Sequence, residues 1–222
     1  MSLPVPWLDR LAHDLRGPLT PLQTAAYLLK SGQVDAVQQQ ELFTLIERQT
    51  RAMGSMIDEL SDWSQANRGL LLVNVEPCEV SLLLDVAFSV FKPVTGTMPS
   101  ILDESEGANV LADQLRLVEA FRTLVGYATS RDADVAASVH VYKMDDMLRM
   151  AIDAPGHATD VAEVAALFEH PLPEPYDEGL GLKLLIARAI VVAHSGSLIA
   201  ESSPAGGLRI NCDIPLVSPT AE

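Results

Sequence analysis

The chain has 222 residues, with 15 Lys+Arg against 30 Asp+Glu and a formal net charge of −15. That acidity argues against a nucleic-acid partner, because phosphate contacts need clustered Lys and Arg. At 48% hydrophobic and 20% charged, the composition is that of a folded globular protein with one large or two small domains, not of a disordered acidic tail. No apolar run is long enough to span a bilayer and the N-terminus carries no basic-then-apolar signal, so no direct membrane contact is expected. Cys78 and Cys212 are too few for a disulfide framework or a metal site, which fits a cytoplasmic setting.

The first 67 residues carry heptads. From Leu42 the seam runs through Ile46, Gln49, Met53, Met56, Leu60 and Trp63 in steps of four and three, and Leu8, Ala12, Leu15, Leu19, Leu22, Ala26 and Leu29 repeat the pattern ahead of it. Ser31-Gly32-Gln33-Val34-Asp35 supplies a stop and a cap. The spacing predicts helices over 4–30 and 36–66 forming an antiparallel hairpin. Two such helices have too little core to stand alone, and a second copy completes a four-helix bundle, so a homodimer is expected. Trp7 and Trp63 are expected to cap the ends of that core.

Asn67-Arg68-Gly69 ends the hairpin. Leu70–Val75 is predicted as a strand and Val80–Phe91 as an amphipathic helix. Lys92–Gly107 is Pro/Gly-punctuated, with a short strand around Ser100–Leu102. Val110–Thr129 is predicted as a helix, and Val139–Tyr142 with Leu148–Ile152 as a hairpin about a polar break. Gly181–His194 is predicted as an apolar helix. Ser197–Glu201 and Leu208–Ile214 follow as strands about a Ser-Ser-Pro-Ala-Gly-Gly turn. The fold class is α+β: a helical hairpin over 1–67, then an α/β sandwich over 68–222.

His13 is the histidine with the most telling surroundings. Beside the seam at its solvent edge, a neutral imidazole is a nucleophile for a phosphoryl group, and Asp14 can accept the ring proton and hold the tautomer. Pro18 removes a helix hydrogen bond just beyond. The string His13-Asp14-Leu15-Arg16-Gly17-Pro18-Leu19 resembles the phosphoacceptor box of two-component sensor histidine kinases. The order of His box, hairpin, α/β block and glycine-rich C-terminal half extends that resemblance over nearly the whole chain. It implies that His13 is phosphorylated, with Asp14 as the acid/base group beside it.

The α/β block resembles the same family's ATP-binding domain, a sandwich shared with gyrase and Hsp90 ATPases. Asp113-Gln114-Leu115-Arg116-Leu117 is kept, but the Asn-Leu-Leu-x-Asn-Ala box reads Thr123-Leu124-Val125-Gly126-Tyr127-Ala128. Both asparagines are gone, and a neutral phenol is a poor replacement for an oxygen ligand to Mg²⁺. The Asp-x-Gly-x-Gly box reads Asp153-Ala154-Pro155-Gly156-His157. Asp153 keeps the carboxylate that the resemblance assigns to the adenine amino group, while Pro155 and His157 replace glycines. Leu167-Phe168-Glu169 is the counterpart of the family's apolar box. Gly179-Leu180-Gly181-Leu182 matches the second glycine box, whose amides can cradle phosphate at a helix start. The lid between boxes, His170–Glu178, is short and holds three prolines. The resemblance therefore implies Asp153, Gly156, Gly179 and Gly181 as the surviving nucleotide contacts, with ATP and Mg²⁺ as the cofactor only where that site still works.

The expected function is phosphoryl exchange between His13 and an aspartate of a response-regulator receiver domain, with weak or absent autophosphorylation from ATP. Two alternatives are an active kinase core, with Glu119 or water completing a cation shell, and a dimeric scaffold that acts by binding alone. Gly17 stands where dephosphorylating relatives carry Thr or Asn, so phosphatase activity is not expected. Partner choice is expected along Thr20, Gln23, Thr24 and Tyr27 and the facing stretch of the second helix. No sensor segment is evident, so the chain is expected to be a stand-alone relay or a piece of a longer sensor. The acid run Asp103–Glu106 is expected to be a solvated loop, and His140 and His194 to be packing or solvent-facing residues rather than ligands.

Overall fold

A computed structural model describes residues 5–91, 99–130, 136–157, 160–204 and 206–217, without the side chains of 5, 6, 8, 9, 161 and 162. The chain divides into two compact units. The first is the described part of Met1–Asp62 together with Pro171–Leu182, and the second is Trp63–His170 with Lys183–Glu222.

The helices α1 (Val5–Ser31) and α2 (Ala36–Asn67) form the hairpin, which belongs to the first unit as far as Asp62. α1 runs without a break through both Pro18 and Pro21. Gly32 ends it at φ 66°, a left-handed backbone that glycine adopts without a Cβ penalty. Asp35 and Gln38 then make a reciprocal cap. The Asp35 carboxylate accepts from the Gln38 amide at 2.9 Å, and the Gln38 side-chain oxygen accepts from the Asp35 amide at 3.1 Å. At the far end, Leu70 N donates to Gln65 O and Gly69 N to Ala66 O, a Schellman closure with Gly69 at φ 67°.

The inward stripes differ from the predicted seams by one position in part. On α1 the most enclosed positions are Trp7, Pro18 and Ala25, with Leu11, Asp14 and Pro21 partly enclosed between them. On α2 they are Ala52, Met56, Glu59 and Trp63. Ala12, Leu19 and Ala26, three seam positions spaced by sevens, are exposed.

In the second unit, β1 (Glu76–Glu79) pairs antiparallel with β3 (Asn109–Ala112). β2 (Ser100–Glu104), β4 (Ser138–Met144), β5 (Met147–Ala154), β6 (Ser197–Ser202) and β7 (Leu208–Pro215) build a sheet in the order β2-β4-β5-β7-β6. β2 is parallel to β4 and the other neighbours are antiparallel. The helices are α3 (Val80–Phe88), α4 (Gln114–Ala128), α5 (Val161–Ala166) and α6 (Lys183–Ala193).

β5 alternates strictly. Leu148, Met150, Ile152 and Ala154 are buried, while Met147, Arg149, Ala151 and Asp153 stand on the other, more open face. The buried rows meet Leu117, Phe121 and Leu124 of α4 and Leu184 and Ile190 of α6 in one core. Truncating fully enclosed Phe121 to Ala would cost about 3–5 kcal/mol by the usual core scale.

Three predicted boundaries are corrected. Leu70–Val75 is irregular and the strand falls one segment later, at Glu76–Glu79. The reason is a long-range contact, because the Val73 and Asn74 amides donate to the Asp113 carboxylate at 2.8 and 3.1 Å rather than to a ladder. Val110 begins no helix. It lies in β3, and Asp113 as N-cap starts α4 at Gln114. The helix predicted to Phe91 ends at Phe88. The stretch 92–98 lies outside the described residues.

Candidate functional site

His13 sits in the third turn of α1, and its side chain is 87% exposed. Its Nδ1 lies 3.3 Å from Asp14 Oδ1. With the proton on Nδ1 and donated to that carboxylate, the Nε2 lone pair is the nucleophile left facing solvent. Asp14 is itself held: Arg10 Nε donates to its Oδ2 at 3.1 Å, one helical turn away. Arg10 has a second task. Its Nη1 donates to Pro173 O at 2.8 Å and its Nη2 to Leu172 O at 3.2 Å. Arg10 therefore ties the group that orients His13 to the segment Pro171–Leu182. A cavity of about 370 Å³ opens beside Asp14, lined by Arg10, Gly17 and Pro18 of α1 and Gln49 and Ala52 of α2 among others. Thr20, Gln23, Thr24 and Tyr27 are all exposed on α1.

Gly179 and Gly181 belong to the same unit as His13. Gly181 has φ 79°, and a Cβ there would come within 2.5 Å of the Leu172 carbonyl oxygen, so only glycine fits. A Cβ on Gly179 would collide with Glu59 Oε1. Glu59 Oε2 accepts from the amides of Leu180 and Leu182 at 3.1 and 3.0 Å. The Trp7 indole donates to Leu180 O at 3.3 Å. Trp7 thus anchors the loop rather than merely capping a bundle. Glu59 was not singled out from sequence, although a carboxylate between Met56 and Trp63 on an apolar stripe was the available signal.

Asp153 and Gly156 belong to the second unit. Asp153 stands on the open face of the sheet directly across from Arg209. Its Oδ1 accepts from Arg209 Nε and Ser203 Oγ, both at 2.8 Å, and its Oδ2 from Arg209 Nη2 at 2.8 Å. The guanidinium holds the Asp153 carboxyl below its ordinary pKa, with burial opposing and Ser203 assisting. Gly156 lies exposed in the turn after β5. His157, one residue on, is buried, and its ring centroid is 4.7 Å from that of Tyr127. Tyr127 and His157, which the sequence resemblance sets against an asparagine and a glycine, are packed on each other.

Asp113 and His194 form a support for α4. The Asp113 amide donates to His194 Nε2 at 3.0 Å, and His194 Nδ1 meets Ile190 O at 2.8 Å, which makes this a neutral ring with its proton on Nδ1. Burial works to raise the Asp113 carboxyl, but hydrogen bonds from the Val73, Asn74 and Arg116 amides outweigh it and hold the pKa below the ordinary value. His140 pairs with Glu104 at 2.8 Å on the open face. Cys78 and Cys212 are free thiols, both pushed up in pKa chiefly by burial. Among the described residues, no group of three His, Cys, Asp or Glu converges as a metal site, and no helix is long and apolar enough to cross a membrane.

Residues 7–69 match the His Kinase A (phospho-acceptor) domain. That span contains His13, α1 from Trp7 onward and all of α2. The chain is 27% identical over 222 residues to the signal transduction histidine-protein kinase BaeS of Escherichia coli K12, covering 93% of this chain and 45% of that protein. It is 24% identical over 208 residues to the sensor protein ChvG of Agrobacterium fabrum, covering 86% of this chain and 35% of that one. The chain therefore spans less than half the length of these relatives. Its fold is that of the Acinetobacter baumannii histidine kinase AdeS, with a TM-score of 0.70 at 20% identity over 93% of this chain and 98% of the other. Residues 7–69 are thus a His Kinase A (phospho-acceptor) domain, and over most of its length the chain resembles the sensor histidine kinases named above.

Proposed function

We propose that the chain is a dimeric phosphorelay component, with residues 1–67 as dimerisation and phosphotransfer hairpin and 68–222 as a nucleotide-binding-type domain that phosphorylates His13 weakly or not at all. The observation that carries the relay is the exposed His13 ring with its Nδ1 set against a fixed Asp14 carboxylate. The lone pair on Nε2 attacks the phosphorus of an aspartyl phosphate on a receiver domain. The bond from phosphorus to the carboxylate oxygen breaks, the carboxylate leaves with the electron pair, and the Nδ1 proton stays hydrogen-bonded to Asp14. The reverse step returns the group to a receiver.

The weak-kinase half of the reading rests on what fills the nucleotide boxes, which do not fit ATP with Mg²⁺. Tyr127 and His157 pack against each other at a tilt of 49° where the resemblance calls for an oxygen ligand and a bare backbone. Both oxygens of Asp153 already accept hydrogen bonds from Arg209 or Ser203. Pro155 donates no amide.

The test uses the purified chain and a His13→Ala control. Offered a phosphorylated receiver, the wild type should take up acid-labile label and the control none. Label on neither protein would sink the relay. Given γ-labelled ATP and Mg²⁺ alone, the wild type should stay nearly unlabelled. Strong labelling confined to the wild type would replace this reading with an active kinase. A biological effect that survives His13→Ala would point to the scaffold.

A further inference from the structure

The Gly179–Leu182 loop aims two backbone amides at one point, and a carboxylate already sits there. Glu59 is 3% exposed, and its Oε2 takes both hydrogen bonds, from Leu180 and Leu182. Converging amides just ahead of a helix are the geometry that holds phosphate and other anions. A carboxylate loses several kcal/mol of hydration when buried, so it stays only where charge-assisted bonds replace the water. The loop is thus an anion cradle by chemistry, and its occupant is the chain's own side chain.

The glycines point the same way. A Cβ at Gly179 would strike Glu59 Oε1, so the bare backbone makes room for Glu59 itself. Three further ties close the segment onto the hairpin: the Trp7 indole on Leu180 O, and Arg10 on Leu172 O and Pro173 O.

We propose that Glu59 is an internal competitor for the Gly179–Leu182 cradle, closing it to phosphoryl-bearing ligands until the carboxylate is removed or withdrawn. This deepens the weak-kinase part of the proposed function, and its test involves no phosphorylation. It also separates a loop that has lost its anion chemistry from one that retains it behind a plug.

The test titrates inorganic pyrophosphate, and separately ADP, into ¹⁵N-labelled wild type, Glu59→Ala and Glu59→Gln at constant ionic strength, following the Leu180 and Leu182 amides. The wild-type amides should stay put. In Glu59→Ala they should shift saturably, at least about tenfold tighter than in wild type, and pyrophosphate should raise the melting temperature of the variant only. Glu59→Gln keeps the shape without the charge and should fall between, and it supplies the reading where Glu59→Ala does not fold. Pyrophosphate as effective as ADP means that phosphoryl chemistry alone is recognised. A shift with ADP alone means that nucleoside contacts contribute, and the proposal stands in either case. A folded variant that gains no affinity for either ligand, or wild-type amides that shift as readily as the variant's, would overturn it. Strong ATP labelling of the wild type sinks the weak-kinase reading instead, without touching the titration.

Discussion

At the scale of single residues, the relay depends on one contact that a conservative change can weaken. Asp14 holds His13 Nδ1 and is held by Arg10. Asp14→Asn keeps the volume and removes the charge that stabilises the ring's proton. Transfer from a phosphorylated receiver should slow by about a hundredfold, the low end of acid/base effects, while label still lands on His13. Rapid-quench kinetics at equal receiver concentration would measure this, and an unchanged rate would make Asp14 a spectator. Asp153 supports a different prediction. Its carboxyl is depressed in the folded chain by Arg209, so its stabilising effect is complete above the ordinary pKa of about 3.9 and is lost as pH falls through the lower folded value. Asp153→Asn should cost about 1 kcal/mol in urea unfolding at pH 7. The gap from wild type should narrow toward pH 3. A gap that widened on acidification would contradict the pairing.

At the scale of elements, Asp113 stands out as a junction. One carboxylate caps α4 through Arg116 N and also ends the irregular run before β1 through Val73 and Asn74. Asp113→Ala should therefore cost about 2–3 kcal/mol, against about 1 kcal/mol for Asp35→Ala, which loses a cap alone. Chemical denaturation of both variants checks the ranking. The same junction explains what could be foreseen. The hairpin was legible because Gly32, Asp35 and Gly69 punctuate two long heptads with strong local chemistry. β4 and β5 were legible as a hairpin from the polar break between them. β1 was not, since Glu-Pro-Cys-Glu has no alternating apolar signal and owes its pairing to β3. Leu70–Val75 has the composition of a strand, but a carboxylate forty residues downstream takes its amides. The His13–Leu19 string was legible as a motif, and its stretch falls within the matched His Kinase A (phospho-acceptor) domain. The occupancy of the glycine loop was not, because it depends on bringing Glu59 and Leu180 together across 121 residues.

At the scale of the molecule, the hairpin leaves a usable face open. Ala12, Leu19 and Ala26 recur every seven residues and are exposed, and Tyr27, Phe43 and Ile57 are exposed large apolar side chains on the same two helices. A second hairpin would cover them, as an isolated pair of helices would not. Sedimentation equilibrium should find a dimer, and Leu19→Lys should weaken it by at least about tenfold through a charge buried at the seam. A wild-type monomer at micromolar concentration would remove the dimer from the proposed function.

The open face of the sheet adds one more consequence. Arg149 faces Asp213 and Asp153 faces Arg209 across the same pair of strands, each in a two-pronged ion pair. A slip of two residues keeps every apolar side chain on its proper face, so burial alone does not forbid it. That slip would set Arg149 against Asn211 or Pro215 and Asp153 against Gly207 or Asn211, and both ion pairs would vanish together. The two pairs work as a key with two teeth. They mark the one alignment of β5 with β7 that the greasy side of the sheet cannot distinguish by itself.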